Sequence, residues 1–143
     1  FYWSHRLLHN RRLYSRIHKI HHEYTGTIGI AAEFAHPIEF TFGNVVPALL
    51  GPKLLGSRAH MMTVYFWVFI RLAVTFEVHS GYNFPWSPLK LLPFSSTPEY
   101  HDFHHSHNVG NFASSFYFWD YICGTNRRWF RHITGIYGKE KKE

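Results

Sequence analysis

Apolar positions along the chain fall into blocks divided by glycine and proline, and each block predicts an element. Residues 1–22 have helical spacing without either breaker, and Asn10 is the natural interruption between two helices or the bend of one. Residues 24–29 read as a turn. The apolar run 28–42 is broken at His36-Pro37, where proline ends or kinks a helix. Gly43, Pro47, Gly51, Pro52 and Gly56 mark residues 44–56 as a break or re-entrant turn. Residues 61–70 are apolar apart from Thr63 and short for a membrane span. They read as an interfacial or re-entrant segment, or as a span whose polar positions face protein. Arg71 and Glu77 follow, both expected toward the protein interior or near the interface because such charges rarely face lipid. Arg71 is read as structural. Pro85, Pro88, Pro93 and Pro98 then give a loop, helical spacing resumes over residues 99–107, and Gly124-Thr125-Asn126 ends an aromatic-rich helix.

Composition moves this picture toward a membrane. The chain of 143 residues is 20% aromatic and 45% hydrophobic but only 17% charged, poorer in charge than an average soluble domain. Its length suits one domain, 1–143, and Phe1-Tyr2-Trp3 reads like the end of an apolar helix, so a fragment lacking upstream transmembrane helices is expected. The net charge of +6 sits at the two ends, around Arg6 to Lys19 and Arg127 to Lys142. Basic flanks around an uncharged middle fit the cytosolic side of a membrane, and no nucleic-acid module accompanies them. Cys123 is the single cysteine, which excludes a disulfide framework and thiolate-rich zinc sites.

The thirteen histidines carry the chemistry. His5-x3-His9, His18-x2-His21-His22 and His101-x2-His104-His105 each place imidazoles three or four residues apart, the spacing that shares one helical face. Eight such ligands, with His79 as a ninth, exceed the roughly four to six that one ion takes, so two ions are expected. Imidazole alone does not choose among iron, zinc, copper and nickel. A two-metal site beside an aromatic, membrane-level pocket suits oxidation of a lipid C–H bond, which needs a redox metal and excludes zinc. Taken singly, His36, His60, His107 and His132 read as ordinary structural residues. A non-catalytic membrane protein with a structural or storage metal site is the alternative from another class.

The strings His5-Arg6-Leu7-Leu8-His9, His18-Lys19-Ile20-His21-His22-Glu23, Ala35-His36-Pro37-Ile38-Glu39, Val78-His79-Ser80-Gly81-Tyr82-Asn83 and His101-Asp102-Phe103-His104-His105 resemble the fatty acid hydroxylase and sterol desaturase superfamily. The run Gly110 to Phe116, then Trp119-Asp120 and Gly124-Thr125-Asn126, is similar to its C-4 methylsterol monooxygenase branch. The resemblance implies an all-α, membrane-embedded helical bundle with a cytosolic histidine-rich helical cap holding a dinuclear site. It implies two iron ions bound by His5, His9, His18, His21, His22, His79, His101, His104 and His105. His36, Glu39 and Asn83 would stand behind these ligands or on the substrate side, Asn83 where relatives carry a further histidine.

The same resemblance implies stepwise oxidation of the C-4 methyl group of a sterol, with O2 and electrons from NAD(P)H through cytochrome b5 and its reductase. A fatty acyl or sphingoid hydroxylase or desaturase is the alternative within the superfamily. The implied location is the endoplasmic-reticulum membrane, with metal site and C-terminus cytosolic. The ending Lys139-Glu140-Lys141-Lys142-Glu143 fits a K-x-K-x-x retrieval signal.

Overall fold

The computed structural model describes residues 1–140, and side chains as far as Gly135. The retrieval signal expected at Lys139 and Lys141 lies outside these described side chains. Among the described residues the ordered elements are eight α-helices, short 3-10 turns and one π-helical turn. Among the described residues there is no strand, only one isolated bridge between Ser95 and Phe116.

Helix α1 spans Tyr2–Leu8 and α2 spans Arg11–Tyr14. Asn10 separates them by capping α2, its side chain accepting from the Arg12 amide at 3.1 Å. His18–Glu23 forms a 3-10 turn, not the expected α-helix, and Gly29–Glu33 forms another. Pro37 begins helix α3, Pro37–Glu39, because proline at the first helical position loses no intrahelical bond. A π-helical turn, Phe40–Val45, leads directly into α4, Val46–Leu55.

The glycine- and proline-rich segment 44–56 is therefore helical instead of a break. Pro47 sits in the first turn of α4, but Pro52 lies inside it and leaves the Ala48 carbonyl, four residues earlier, without its amide partner. Trp67 of the next helix supplies the missing donor, its indole Nε1 donating to Ala48 O at 2.7 Å.

Helix α5, Met61–Val78, runs through Arg71 and Glu77 without interruption, capped by His60, which accepts from the Met62 amide. Its 18 residues have a mean hydropathy of 1.5 and only 11% of them are buried. At a rise of about 1.5 Å per residue this is about 27 Å, close to the hydrocarbon thickness of a bilayer. Helices α4 and α5 together turn Leu54, Leu55, Met61, Met62, Phe66 and Phe69 outward, each more than half exposed. Water disfavours so large an apolar belt, and lipid does not.

Burial runs the other way. His18, His101, His104, His105, Asn111 and Asp120 are among the most completely buried side chains, and Val78 is the apolar one beside them. Helix α6, Pro98–His107, passes through this polar centre, started by Thr97 accepting from the Tyr100 amide and stopped by Asn108 at φ +54°. Helices α7, Phe118–Cys123, and α8, Arg127–Glu140, close that side.

Candidate metal centre

Nine imidazoles from four places in the chain meet in two adjoining groups. His5, His9, His18, His22 and His104 form one, and His21, His79, His101 and His105 form the other. Within each group the nearest ring nitrogens all lie within 4.8 Å of one another. Eight of the nine residues are buried, and His9 is half-buried. These are the nine positions singled out in the sequence, five in one group and four in the other.

Each H-x-x-H-H string serves both groups, so neither projects all three rings from one face. On α6, His101 and His105 are one turn apart and point into the four-membered group. His104 is rotated by about 100° from its neighbour and points into the five-membered group. In the 3-10 turn the sorting is reversed, with His18 and His22 in the five-membered group and His21 in the four-membered one.

The rings are oriented from behind. His5 Nδ1 donates to Phe112 O at 2.7 Å, His104 Nδ1 to Gly110 O at 2.6 Å, His79 Nδ1 to Thr75 O at 2.9 Å and His21 Nδ1 to Phe34 O at 3.1 Å. A carbonyl oxygen can only accept, so each Nδ1 carries the proton and each Nε2 is left as a lone pair facing inward. His18 Nδ1 donates in the same way to Glu39 Oε1 at 2.7 Å.

Two of these carbonyls belong to a loop that the sequence marks only by its motif. Gly110 holds φ at +64°, where a β-carbon would also overlap the Thr125 carbonyl, so only glycine fits. Asp120 is fully buried and accepts from the amides of Phe112 and Ala113 at 2.9 and 2.7 Å and from Thr125 Oγ1 at 2.6 Å. Asn111 Nδ2 donates to Tyr100 O. The Gly110 to Phe116 run, Asp120 and Thr125 thus work as a brace for His5 and His104.

The inward nitrogens crowd. His5 and His18 meet Nε2 to Nε2 at 2.9 Å, and both lack a proton there. Four further Nε2 pairs lie as close, His9 to His104 at 3.1 Å, His22 to His18 at 3.0 Å, His79 to His101 at 2.9 Å and His101 to His105 at 3.2 Å, while the buried Nδ1 atoms of His22, His101 and His105 have no partner. Lone pairs that face each other, as at His5 and His18, repel in a low dielectric, and a shared cation turns that repulsion into ligation. The donor set fits a metal ion in each group.

Burial also keeps the rings uncharged. His5, His101 and His104 are held well below the ordinary imidazole range by loss of hydration, with neighbouring imidazoles adding to the effect. Burial lowers His9 to about 4 and both His22 and His79 to about 3. His18, His21 and His105 move the same way for the same cause. Burial pushes Glu39 up to about 8, and a cation held at the His18 ring would favour its carboxylate form.

Glu39 therefore touches a ring of the cluster, whereas two other sequence candidates do not join it. His36 caps α3, its Nδ1 accepting from the Ile38 amide at 3.2 Å. Asn83 is exposed in the loop after α5. His107 stacks on Phe103 at 4.1 Å, His132 packs on the same ring, and His60 caps α5.

A cavity of about 20 Å³ adjoins the cluster, lined by His5, His18, His21, His79, Glu39 and Arg71. Phe1, Arg71 and Ser114 are common to it and to a groove of about 670 Å³ walled by Trp3, Trp67, Ile70, Val74, Leu92, Phe116, Phe118 and Trp119. That volume lies in the range of small-molecule sites, about 300–1,000 Å³.

Comparison with known proteins agrees with this centre. Residues 1–125 match the fatty acid hydroxylase family. The chain is 43% identical over 145 residues to a methylsterol monooxygenase of Arabidopsis thaliana, covering 99% of this chain and 49% of that protein. It is 47% identical over 127 residues to a methylsterol monooxygenase of Aspergillus fumigatus, covering 87% and 43%. Its identity to a very-long-chain aldehyde decarbonylase of Oryza sativa subsp. indica is 40% over 145 residues, covering 99% and 53%. The chain thus spans about half the length of the curated relatives it matches, and no solved structure matches it. A family match over most of the chain, joined to relatives of this identity, establishes that the chain belongs to the fatty acid hydroxylase family.

Proposed function

We propose that this chain is the catalytic part of a membrane-bound, di-iron sterol monooxygenase that oxidises the C-4 methyl group of a sterol. The observation that carries the reading is the division of nine buried imidazoles into groups of five and four, with five Nδ1 atoms anchored so that Nε2 faces inward. His5, His9, His18, His22 and His104 would hold one iron, and His21, His79, His101 and His105 the other. When bound, the irons supply the redox change that attack of O2 on an unactivated C–H bond requires.

The chain's own residues do the rest. The aromatic groove takes the apolar body of the lipid, and its junction with the centre at Phe1, Arg71 and Ser114 aims one end at the imidazoles. Burial excludes water from the reacting end. Glu39 fixes the His18 tautomer and offers a carboxylate to balance the charge of a bound cation. Oxidation proceeds stepwise to a carboxylate, each step consuming O2 and an electron pair, the electrons coming from NAD(P)H through cytochrome b5 and its reductase.

The electrons enter on the aqueous side. His9 is the half-buried member of the nine, and it lines a surface hollow with Arg127, Arg128 and Arg131. A basic face beside a ligand suits an acidic electron donor. The apolar belt of α4 and α5 supports membrane embedding, with this basic side in the cytosol and the endoplasmic reticulum as the location.

A second reading has its own support. The rice relative named a very-long-chain aldehyde decarbonylase aligns over 99% of this chain, and an extended acyl or sphingoid chain would also fill the groove. Lipid extracts from cells lacking the gene separate the two. Accumulation of 4-methylsterols supports the sterol reading, whereas unchanged sterols with altered very-long-chain lipids contradict it.

A further inference from the structure

Arg71 is common to three cavities that meet beside the centre. It lines the 20 Å³ cavity at the imidazoles, the 670 Å³ aromatic groove, and a third groove of about 260 Å³ formed with Asn44, Ala48, Leu49, Val68 and Leu72. It stands well inside the apolar helix α5, where a guanidinium is costly without a partner. Its neighbours are weak ones for a cation. The guanidinium donates to Thr75 Oγ1 and lies 5.6 Å from the centre of the Phe1 ring. Glu33 and Glu39 share cavities with it, yet among the described residues neither is within ion-pair distance of it.

We propose that Arg71 is the anion-recognition element of the lipid site, binding a carboxylate carried at the reacting end of an otherwise apolar ligand. Three observations meet there. The groove is walled by apolar and aromatic side chains, it shares Phe1, Arg71 and Ser114 with the cavity at the imidazoles, and Arg71 at that junction offers a planar fork of donors matched to a carboxylate. An uncharged alcohol of the same body gains much less from the fork, and in an apolar groove that difference is large. Arg71 would thus favour the acid over its less oxidised precursors. This assignment rests on the proposed lipid-oxidising reading, and its ligand class is a sterol acid.

Binding without turnover tests it. The full-length protein, zinc-loaded and held in lipid nanodiscs, is titrated with a 4-carboxysterol, the matching 4-hydroxymethylsterol, a very-long-chain fatty acid and its alcohol. The wild type should bind the sterol acid at least about tenfold more tightly than the sterol alcohol. R71Q should bring the acid to within about twofold of the alcohol without changing zinc content, and R71K should leave an intermediate preference. Equal binding of acid and alcohol by the wild type, or a preference that survives R71Q with metal content intact, overturns the proposal. Should R71Q fail to fold, an undiminished preference in R71K overturns it. An Arg71-dependent preference for the fatty acid, with no binding of either sterol, keeps Arg71 as the anion site and removes the sterol reading instead.

Discussion

His5 and His18 face each other Nε2 to Nε2 at 2.9 Å while their Nδ1 atoms donate outward, one to the Phe112 carbonyl and the other to Glu39. Neither inward nitrogen has a proton to share, so the pair is arranged for a cation. Glu39 should then contribute through His18. Glu39→Ala should weaken metal binding about 10–100-fold, the range seen when partners behind metal-bound histidines are removed. Glu39→Gln, whose amide oxygen still accepts from Nδ1, should stay within a few fold of wild type. Competition with a graded chelator measures both, and an unaffected Glu39→Ala protein would show that the carboxyl does not support the ligand.

Acid should release the metal and loosen the fold together. Unfolded imidazoles take up protons below about 6.5, whereas His9 resists until about 4 and His22 and His79 until about 3. Between those values the unfolded chain binds more protons, so stability falls as pH falls. Metal binding needs neutral rings and has the same sign. Melting of the full-length protein should drop by several degrees between pH 7 and pH 5, with metal loss over the same interval. A melting point that rises on acidification would contradict the burial argument.

Much of the centre was legible because histidine spacing is a local property. The division of each H-x-x-H-H string between two groups was not, since it depends on a 3-10 turn at His18–Glu23 and on where α6 sits in three dimensions. The groups that orient His5, His21, His79 and His104 are backbone carbonyls, which no side-chain pattern announces. Asp120 and Gly110 stood within a motif whose purpose appears only when Phe112 and Gly110 are seen behind the rings.

The misread helix α4 yields its own test. Pro52 suggested a break, but Trp67, 15 residues further along the chain and across the hairpin, replaces the donor that proline removes. Trp67→Phe should cost about 1–3 kcal/mol by leaving the Ala48 carbonyl unpaired. In a Pro52→Ala background, where an amide is restored, the same change should cost clearly less. Equal costs in the two backgrounds, read from denaturation in detergent, would mean that the indole bond is unrelated to the proline.

The basic hollow beside His9 should govern electron delivery. Arg127→Glu with Arg128→Glu should raise the KM for the donor protein about tenfold or more, flatten its salt dependence, and leave metal content unchanged. A KM and salt response equal to wild type would place donor docking on another face.

The central claim is that nine histidines hold two ions, and metal counting tests it most directly. Full-length protein loaded with iron under reducing conditions should contain two iron ions per chain. His104→Ala and His105→Ala, which remove one ligand from each group in turn, should each lose oxidation of the 4-methylsterol while His132→Ala keeps both iron and activity. At most one iron per chain in a fully loaded wild-type sample, or full activity in His104→Ala, would contradict the account.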